Sequence, residues 1–516
     1  MGRRTYIVTA EEMRNWEQQW IEQGVSSDMM MESTGGQLWG KLQSVVPKKK
    51  EIHCVILAGS GNNGGDALVL ARYAWAAGWY VTVILFGHHK TVENASRLRQ
   101  LEMATEGSGR FDRCKAEEID QPLAVISTAD IAVEGIVGTG LQGELCNESQ
   151  RWVAALNEWR RWGGRVAAID VPAGVNGTNG DVTSVALQAD MTWMTGWPKR
   201  GLYFYPASEH TGKKLCFSLG LPGDPKWKNE LVVSDTLMLR RPLRKNNAHK
   251  GTQGHVAILA GSEGMEGAAL LAAQAALYSG AGKVTLWVPR GIRSRLTLAL
   301  PEIMVRSVGN NRDTIWTPDM IPDVDPQIYD SVVLGCGIGR AEETMRWAVK
   351  LLTAWKQPTV LDADGLLALV RQKDIKGTGT LVLTPHAGEL ACLSAQDHIA
   401  DDRQRWETSV GLAATRNTIV VAKGAPTFIA LPTGEHYVNT TGNAGLATAG
   451  TGDTLAGIIG SLMAQGFSAA QAAVSGVYWH GAAADILAAG GYGFTAGMVA
   501  RTLPSVMGKG ATDARG

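Results

Sequence analysis

Two glycine-rich stretches of this chain put polar side chains where backbone amides can gather around an anion. In NTTGNAGLATAGTGDTLAGIIGSL, Gly450, Thr451, Gly452 and Asp453 stand immediately before a long apolar run that reads as a helix. Glycines there let consecutive N–H groups converge, the helix dipole favours negative charge, and Asp453 can take a proton from an attacking hydroxyl. The bland alternative is that the same Asp is an ordinary N-cap after a flexible turn. In GSGNNGGDALVLAR, Gly59, Gly61 and Gly64 satisfy G-x-G-x-x-G between a strand-like and a helix-like run, a pattern suited to phosphate. The following strand, VTVILFGHHK, lacks the acidic residue with which a dinucleotide dehydrogenase holds its ribose, so hydride transfer becomes an alternative only. The loop is filled instead by Asn62, Asn63 and Asp66, whose oxygens suit a hard cation or ribose hydroxyls; Asn63 and Asp66 could also simply cap the helix. No G-x-x-x-x-G-K-[ST] occurs, which excludes a P-loop enzyme.

Two further loops follow strand candidates: EGIVGTGLQGE, from Glu134 to Glu144, and IDVPAG, from Ile169 to Gly174. In a parallel sheet the carboxyl ends of the strands share one crevice, so Asn63, Glu134 and Asp170 could meet there. Asp170 is then the natural acid/base, unless it only anchors the turn before Pro172.

These residues need βαβ units to position them. From His53 the chain alternates an apolar run, a glycine-rich turn and an amphipathic helix, as in HCVILAG, GNNGGDALVLARYAWAAG and YVTVILFG. PLAVIST, IAVEGIVGTG and GRVAAIDVPAG read as further strands, and the regularity fades through TGWPKRGLYFYPASEHTGKKLCFSLGLPGDPKW. Prolines and clustered charge from Pro222 to Lys250 mark a connection or an exposed entry loop, with a boundary near Asn229 that divides the chain into domains 1–228 and 229–516. A second series then begins with GHVAILAGS, a helix in GAALLAAQAALYSG, and KVTLWVP. It continues through SVVLGCG, PTVLDADGL, GTLVLTPH, NTIVVAKG and PTFIALP, and closes on small-residue helices from Thr454 onward. Both halves are α/β.

With 516 residues the chain is too long for one core, and its 62 glycines against 18 prolines suit a loop-rich folded protein. Its 49 basic and 49 acidic residues create no overall field for nucleic acid or an anionic membrane, so neither is an expected partner. The six cysteines (Cys54, Cys114, Cys146, Cys216, Cys336 and Cys392) form no CxxC pair and read as buried thiols of a reducing compartment. The N-terminus turns acidic and amphipathic before any apolar core develops, and the most apolar stretch, Gly267 to Gly282, falls short of the roughly 20 residues of a membrane span. A cytoplasmic location and a homo-oligomeric state are expected.

GSGNNGGDALVLAR, GIVGTGLQG and AIDVPAGVNG, with the opening EEMRNWE and MMMESTG, resemble the NAD(P)H-hydrate epimerase domain, over roughly the first 220 residues. The resemblance implies a Rossmann-like three-layer sandwich. It implies that Asn62, Asn63, Gly64, Gly65 and Asp66, together with Gly138, Thr139, Gly140, Leu141, Gln142, Gly143 and Glu144, bind the hydrated dinucleotide. It also implies that Asn63, Glu134 and Ala173 hold a potassium ion and that Asp170 is the catalytic acid/base. The family usually carries Asp at the place of Glu134 and often Ser at that of Ala173.

The G-x-G-D turn resembles that of the ribokinase-like superfamily, where it supplies an anion hole and a base. KGTQGHVAILAGSEGMEGAALLAAQAAL, LGCGIG, LDADGL, LTPHAGEL, KGAPTFIA and GNAGLATAGTGDTLAG narrow the resemblance to the NAD(P)H-hydrate dehydratase branch, across roughly 235–510. It implies a ribokinase-like α/β domain, a substrate site at Ala268, Gly337, His386 and Asp453, and a nucleotide site at Lys423, Gly424, Ala425, Pro426, Thr427 and Gly452. Taken singly, His386 could close a turn and Lys423 could be a strand-end charge. Asp362 and Asp364 could orient magnesium or phosphates, or anchor their turn. The family usually shows Pro-Gly-Met in place of Ala444, Gly445 and Leu446. The implied activity is repair of NAD(P)H-hydrate, with R and S epimers interconverted and the S epimer dehydrated using ADP and Mg2+, giving AMP and phosphate. The rival enzymatic reading is a kinase for a small vitamin or sugar; the non-enzymatic one makes the first domain a binding module.

Overall fold

The computed structural model describes residues 5–87, 110–221, 230–233, 244, 246–297, 300–372, 375 and 380–508. Contacts divide the chain into two units, one over Tyr6–Lys228 and one from Asn229 onward. Most of the segment expected as a connection, 222–250, lies outside the described residues.

In the first unit, α1 (Ala10–Glu22) and α2 (Ser27–Val45) precede β1 (His53–Ala58), α3 (Asn62–Ala76), β2 (Tyr80–Leu85) and β3 (Phe111–Lys115). Then come α4 (Pro122–Ile126), β4 (Ile131–Gly135), α5 (Asn147–Arg161), β5 (Val166–Ile169), β6 (Met191–Thr195) and β7 (Lys213–Phe217). The strands form a parallel sheet in the order β3-β2-β1-β4-β5-β6-β7. Alternate residues of β1 face opposite ways: Cys54, Ile56 and Ala58 pack with Leu38 and Leu42 of α2 and Leu70 of α3, while Val55 and Leu57 pack with Trp152 and Leu156 of α5. Helices therefore cover both faces, which is why β1 reads as an unbroken apolar run.

PLAVIST, expected as a strand, forms the short helix α4 instead. Pro122 stands in its first turn, where a missing N–H costs nothing and the fixed φ suits a helix start. The stretch where regularity fades contains β7, and β3 and β6 also escaped the sequence reading. β3 and β7 are sheet edges, partly exposed, and lack the continuous apolar run that betrays a central strand.

The second unit contains β8 (Glu230–Val233), β9 (His255–Leu259), α6 (Glu266–Tyr278), β10 (Lys283–Pro289), β11 (Met304–Val308) and β12 (Ser331–Leu334). These lead to α7 (Glu342–Ala354), β13 (Thr359–Leu361), α8 (Asp364–Arg371), β14 (Leu381–Leu383), α9 (Ala387–Leu393) and α10 (Asp402–Arg416). The unit closes with β15 (Ile419–Ala422), β16 (Thr427–Ala430), β17 (His436–Asn439), α11 (Thr451–Ala464), α12 (Ala469–Ala488) and α13 (Ala496–Gly508). Its sheet runs β11-β10-β9-β12-β13-β14-β15-β16-β17-β8, parallel except where β16 meets its two neighbours. β8 thus lies inside the segment expected as a connection. Small residues let α11 approach α6: a Cβ on Gly457 would fall 2.1 Å from the Ala272 carbonyl oxygen.

The cysteines are all unpaired, as expected, but only Cys54 and Cys336 are buried, and Cys146, Cys216 and Cys392 are exposed. Cys216 lies on the edge strand β7, which explains its access to solvent. No helix among the described residues is long and apolar enough to cross a membrane. In both sheets the strand order reverses once near the middle, at β1/β4 and at β9/β12, which opens a crevice at the carboxyl ends of those strands.

Candidate functional site

At the first crevice the loops after β1 and β4 touch: a Cβ on Gly59 would lie 1.8 Å from the Ile136 carbonyl oxygen, and one on Gly64 would lie 1.7 Å from that of Gly59. Helix α3 is capped by Gly61 without any side-chain bond, so Asn63 and Asp66 do not serve as its caps. Both polar atoms of the Asn63 amide are buried without a hydrogen-bond partner. Burial, with the neighbouring Asp170 and Glu17 charges, holds the Asp66 carboxyl well above the usual carboxylate range. A Cβ on Gly138 would sit 3.3 Å from Asn63 Cγ and 3.4 Å from Asp170 Oδ2, so the loops after β1, β4 and β5 converge on that point.

Asp170 has φ 64°, a region that only glycine enters readily, and strain of this kind concentrates at functional sites. Its Oδ1 accepts hydrogen bonds from the Thr195 N–H and hydroxyl, each 3.1 Å, and is paired with Lys199 Nζ. The carboxylate thus reaches into the loop after β6 rather than anchoring the turn before Pro172. Lys199, 1% exposed along its side chain, also donates to the Thr195 carbonyl at 2.6 Å. Thr195 and Lys199 were not found from sequence; the only signal is a lysine within the aromatic and glycine-rich TGWPKRGLYF.

Glu134 is fully buried; its Oε1 accepts from the Ile136 N–H at 2.6 Å and its Oε2 from the Ala173 N–H at 3.1 Å. Burial pushes its carboxyl up to about 8 despite those bonds. The Ala173 carbonyl meanwhile accepts from Leu187 N–H at 2.8 Å. Along the Gly138–Glu144 stretch, the Thr139 carbonyl accepts from Arg14 (3.4 Å) and Glu144 Oε2 takes the Ser184 hydroxyl (2.7 Å), while Gly140, Gln142 and Gly143 are exposed.

In the second unit Gly450, with φ 90°, ends the turn and α11 begins at Thr451, so Asp453 lies in the first turn of the helix and is not its cap. The Gly452 and Asp453 N–H groups donate to nothing among the described residues. Burial and the Asp362 charge raise the Asp453 carboxyl to about 6, suited to taking a proton near neutrality. A Cβ on Gly452 would lie 3.1 Å from Lys423 Nζ. That ammonium pairs with Asp362 Oδ1 at 2.7 Å and faces Glu389 at 3.9 Å; burial opposes its charge, and these two carboxylates outweigh burial, raising its pKa. Asp362 Oδ1 also accepts from the Thr384 hydroxyl at 2.7 Å. Lys423 is therefore part of a buried charge cluster and not a solitary strand-end charge. Cys336, unremarked from sequence beyond its burial, lies with its thiol 3.9 Å from Asp362 Oδ2 and hydrogen-bonded to Asp453.

The other sequence candidates fall around this cluster. His386 caps α9, its Nδ1 accepting from Gly388 N–H at 3.0 Å, and its Nε2 lies 3.4 Å from Glu389 Oε1. It does close a turn, and through Glu389 it borders Lys423. Asp364 binds Gly339 N–H (3.0 Å) and Arg340 Nε (2.9 Å), an anchoring role. Ala268 and Gly337 meet, since a Cβ on Gly337 would sit 3.0 Å from that of Ala268. The loop Gly424, Ala425, Pro426 and Thr427 is braced by the buried Arg405, which donates to the carbonyls of Lys423 (2.8 Å) and Pro426 (2.7 Å), a brace no motif announces. Ala444, Gly445 and Leu446 form one turn, with Gly445 against the ring of Phe494.

A family described as NAD(P)H-hydrate dehydratase matches residues 256–505, and one described as YjeF-related protein N-terminus matches 27–201. The bifunctional NAD(P)H-hydrate repair enzyme Nnr of Moorella thermoacetica is 32% identical over 494 residues, 93% of this chain and 92% of its own. The enzyme of the same name from Coxiella burnetii is 32% identical over 493 residues, 93% of this chain and 94% of its own. The solved ADP/ATP-dependent NAD(P)H-hydrate dehydratase from Bacillus subtilis, co-crystallised with ATP and Mg2+, is 31% identical, covers 52% of this chain and 94% of its own, and superposes with a TM-score of 0.47.

Proposed function

The chain belongs to the family of bifunctional NAD(P)H-hydrate repair enzymes, and from that premise we propose that the unit before Asn229 interconverts R and S hydrates while the unit after it dehydrates the S epimer to NAD(P)H. One observation carries the second half: two undonated amides and a carboxyl raised to about 6 stand at the start of α11, beside the Lys423 ammonium.

A hydroxyl on C6 of the reduced ring departs poorly as hydroxide, so dehydration near neutrality needs a better leaving group. Asp453 takes the hydroxyl proton as the oxygen bonds to the β-phosphorus of ADP and the bond to AMP breaks. The Gly452 and Asp453 amides and Lys423 offset the charge on the transferred group. Phosphate then leaves with its C6–O electron pair, a C5 proton is lost, and the ring double bond returns. The loop Lys423–Thr427, held by Arg405, receives the nucleotide, and Ala268, Gly337 and His386 border the hydrate. Asp362 and Asp453 have ligand atoms within 4.8 Å of each other; these hard oxygens would hold magnesium, which would neutralise phosphate charge there.

In the first unit Asp170 moves the proton on the oxygen bound at C6, with Asn62–Asp66 and Gly138–Glu144 around the dinucleotide. Potassium fits Asn63, whose buried amide lacks a partner among the described residues, with the buried Glu134 carboxyl and the Ala173 carbonyl, which accepts from the Leu187 N–H and keeps a lone pair to spare. It would supply a fixed positive charge against Glu134 and an anionic ligand.

Mixed R and S hydrates incubated with the enzyme, Mg2+ and either ADP or ATP test the proposal. Full recovery of reduced-nicotinamide absorbance with ADP, together with AMP and inorganic phosphate, is expected. A lasting phosphorylated product would instead indicate a small-molecule kinase.

A further inference from the structure

Helix α1 carries EEMRNWE, to which the sequence assigned no role, and it is fixed against both sides of the first crevice. The Ala10 N–H donates to Thr178 Oγ1 at 3.0 Å, and Met13 presses on Gly196 so closely that a Cβ there would lie 2.0 Å from Met13 Cε. Trp16 meets Trp197 edge-on at 5.9 Å, two residues before Lys199. Arg14 donates to the Thr139 carbonyl at 3.4 Å, in the loop that follows β4. Glu17 lies three residues beyond Arg14 and four beyond Met13, hence on the same helix face.

The charges that act on the half-buried Glu17 come from four elements: Arg14 of α1 itself, Asp66 of α3, Asp170 after β5 and Lys199 after β6. Three carboxyls, those of Glu17, Asp66 and Asp170, share one buried ammonium, and Asp170 already holds it together with the two Thr195 donors. Carboxyls crowded without matching cations keep their protons. Burial accordingly raises Glu17 to about 7, against the pull of Lys199.

We infer that Glu17 is the second proton-handling group of the epimerisation site, working opposite Asp170; the inference rests on the epimerase reading given above. In one direction Glu17 gives a proton to the C6 hydroxyl, the C6–O bond breaks with both electrons leaving on water, and the ring nitrogen lone pair forms the N1=C6 iminium. Water then adds to the other face of C6 and passes its proton to Asp170. The reverse direction starts from ionised Glu17 and protonated Asp170, so the two directions balance. Lys199 engages Oδ1 of Asp170 and leaves Oδ2, the oxygen facing Gly138, for the proton.

The test uses full-length enzyme carrying Glu17→Gln or Glu17→Asp, with S-hydrate dehydration in the same preparation as the control for folding. Glu17→Gln should slow epimerisation by about 100-fold or more, the scale of a lost general acid, and remove the fall in kcat/KM above pH 7. Glu17→Asp should recover part of the rate and keep that fall at a shifted pH. Epimerisation within about threefold of wild type in Glu17→Gln, or an unchanged pH profile in either variant, would overturn the inference. If Glu17→Gln does not fold, the Glu17→Asp profile decides by the same criterion. A wild-type enzyme that dehydrates S-hydrate but never converts R-hydrate would instead bring down the epimerase reading, and this inference with it.

Discussion

At the scale of single residues, the two units hold carboxyls with opposite surroundings. Asp170 is paired with a buried ammonium and accepts from two threonine donors, whereas burial beside another carboxylate raises Asp453 to about 6. Asp453→Asn should abolish dehydration by either nucleotide and leave R-to-S conversion running, and Asp170→Asn should do the opposite; following both reactions by epimer-resolved chromatography checks each. Lys199→Met would strand the Asp170 carboxylate in a buried position, so it should cost the first unit about 3–5 kcal/mol in urea unfolding, in addition to its effect on rate. Asp170, Asn63, Glu134 and Asp453 stood out as candidates because each lies in a short motif at a strand end or a helix start. Lys199, Thr195, Glu17 and Arg405 were not, because their partners are distant in sequence: Lys199 reaches Asp170 across 29 positions and Arg405 reaches Lys423 across 18.

At the scale of elements, the glycine loop after β1 separates into roles that the motif alone treats as equal. Cβ atoms on Gly59 and Gly64 would collide with backbone, whereas one on Gly61 would meet nothing within 4 Å. Gly64→Ala should therefore destabilise the first unit by at least the ~1–3 kcal/mol of an overpacked site, and Gly61→Ala by no more than about 1 kcal/mol, as measured by chemical unfolding. Central strands were readable for a similar reason: both faces of β1, β2, β5 and β9 are covered, so their sequences are largely apolar, interrupted only by residues such as His53, Thr82 and His255. The edges β3 and β7 are partly exposed and carry FDRCK and KKLCF, which no periodicity separates from loop. PLAVIST reads as a strand by composition, but Pro122 starts a helix turn that spans Pro122–Ile126.

At the scale of the whole molecule, β8 completes the edge of the second sheet beside β17 and precedes β9 by a stretch that the boundary reading treated as connection. A fragment beginning at Asn229 should hold dehydratase activity and melt cooperatively. One beginning at Asn246 should melt several degrees lower, because it leaves the β17 ladder unpaired; a scan of the two fragments decides. Two α/β halves, the glycine turn before α11 and the family resemblance were all determined by the sequence, because each is written in local order: alternating apolar runs, glycines before helices, carboxyls near strand ends. Which of those carboxyls carry a proton, and which lysine answers which aspartate, was decided only when the strand order reversed at β1/β4 and β9/β12. That reversal brings loops from distant parts of the chain into one crevice, where burial and neighbouring charge, neither of which has a sequence period, set the chemistry.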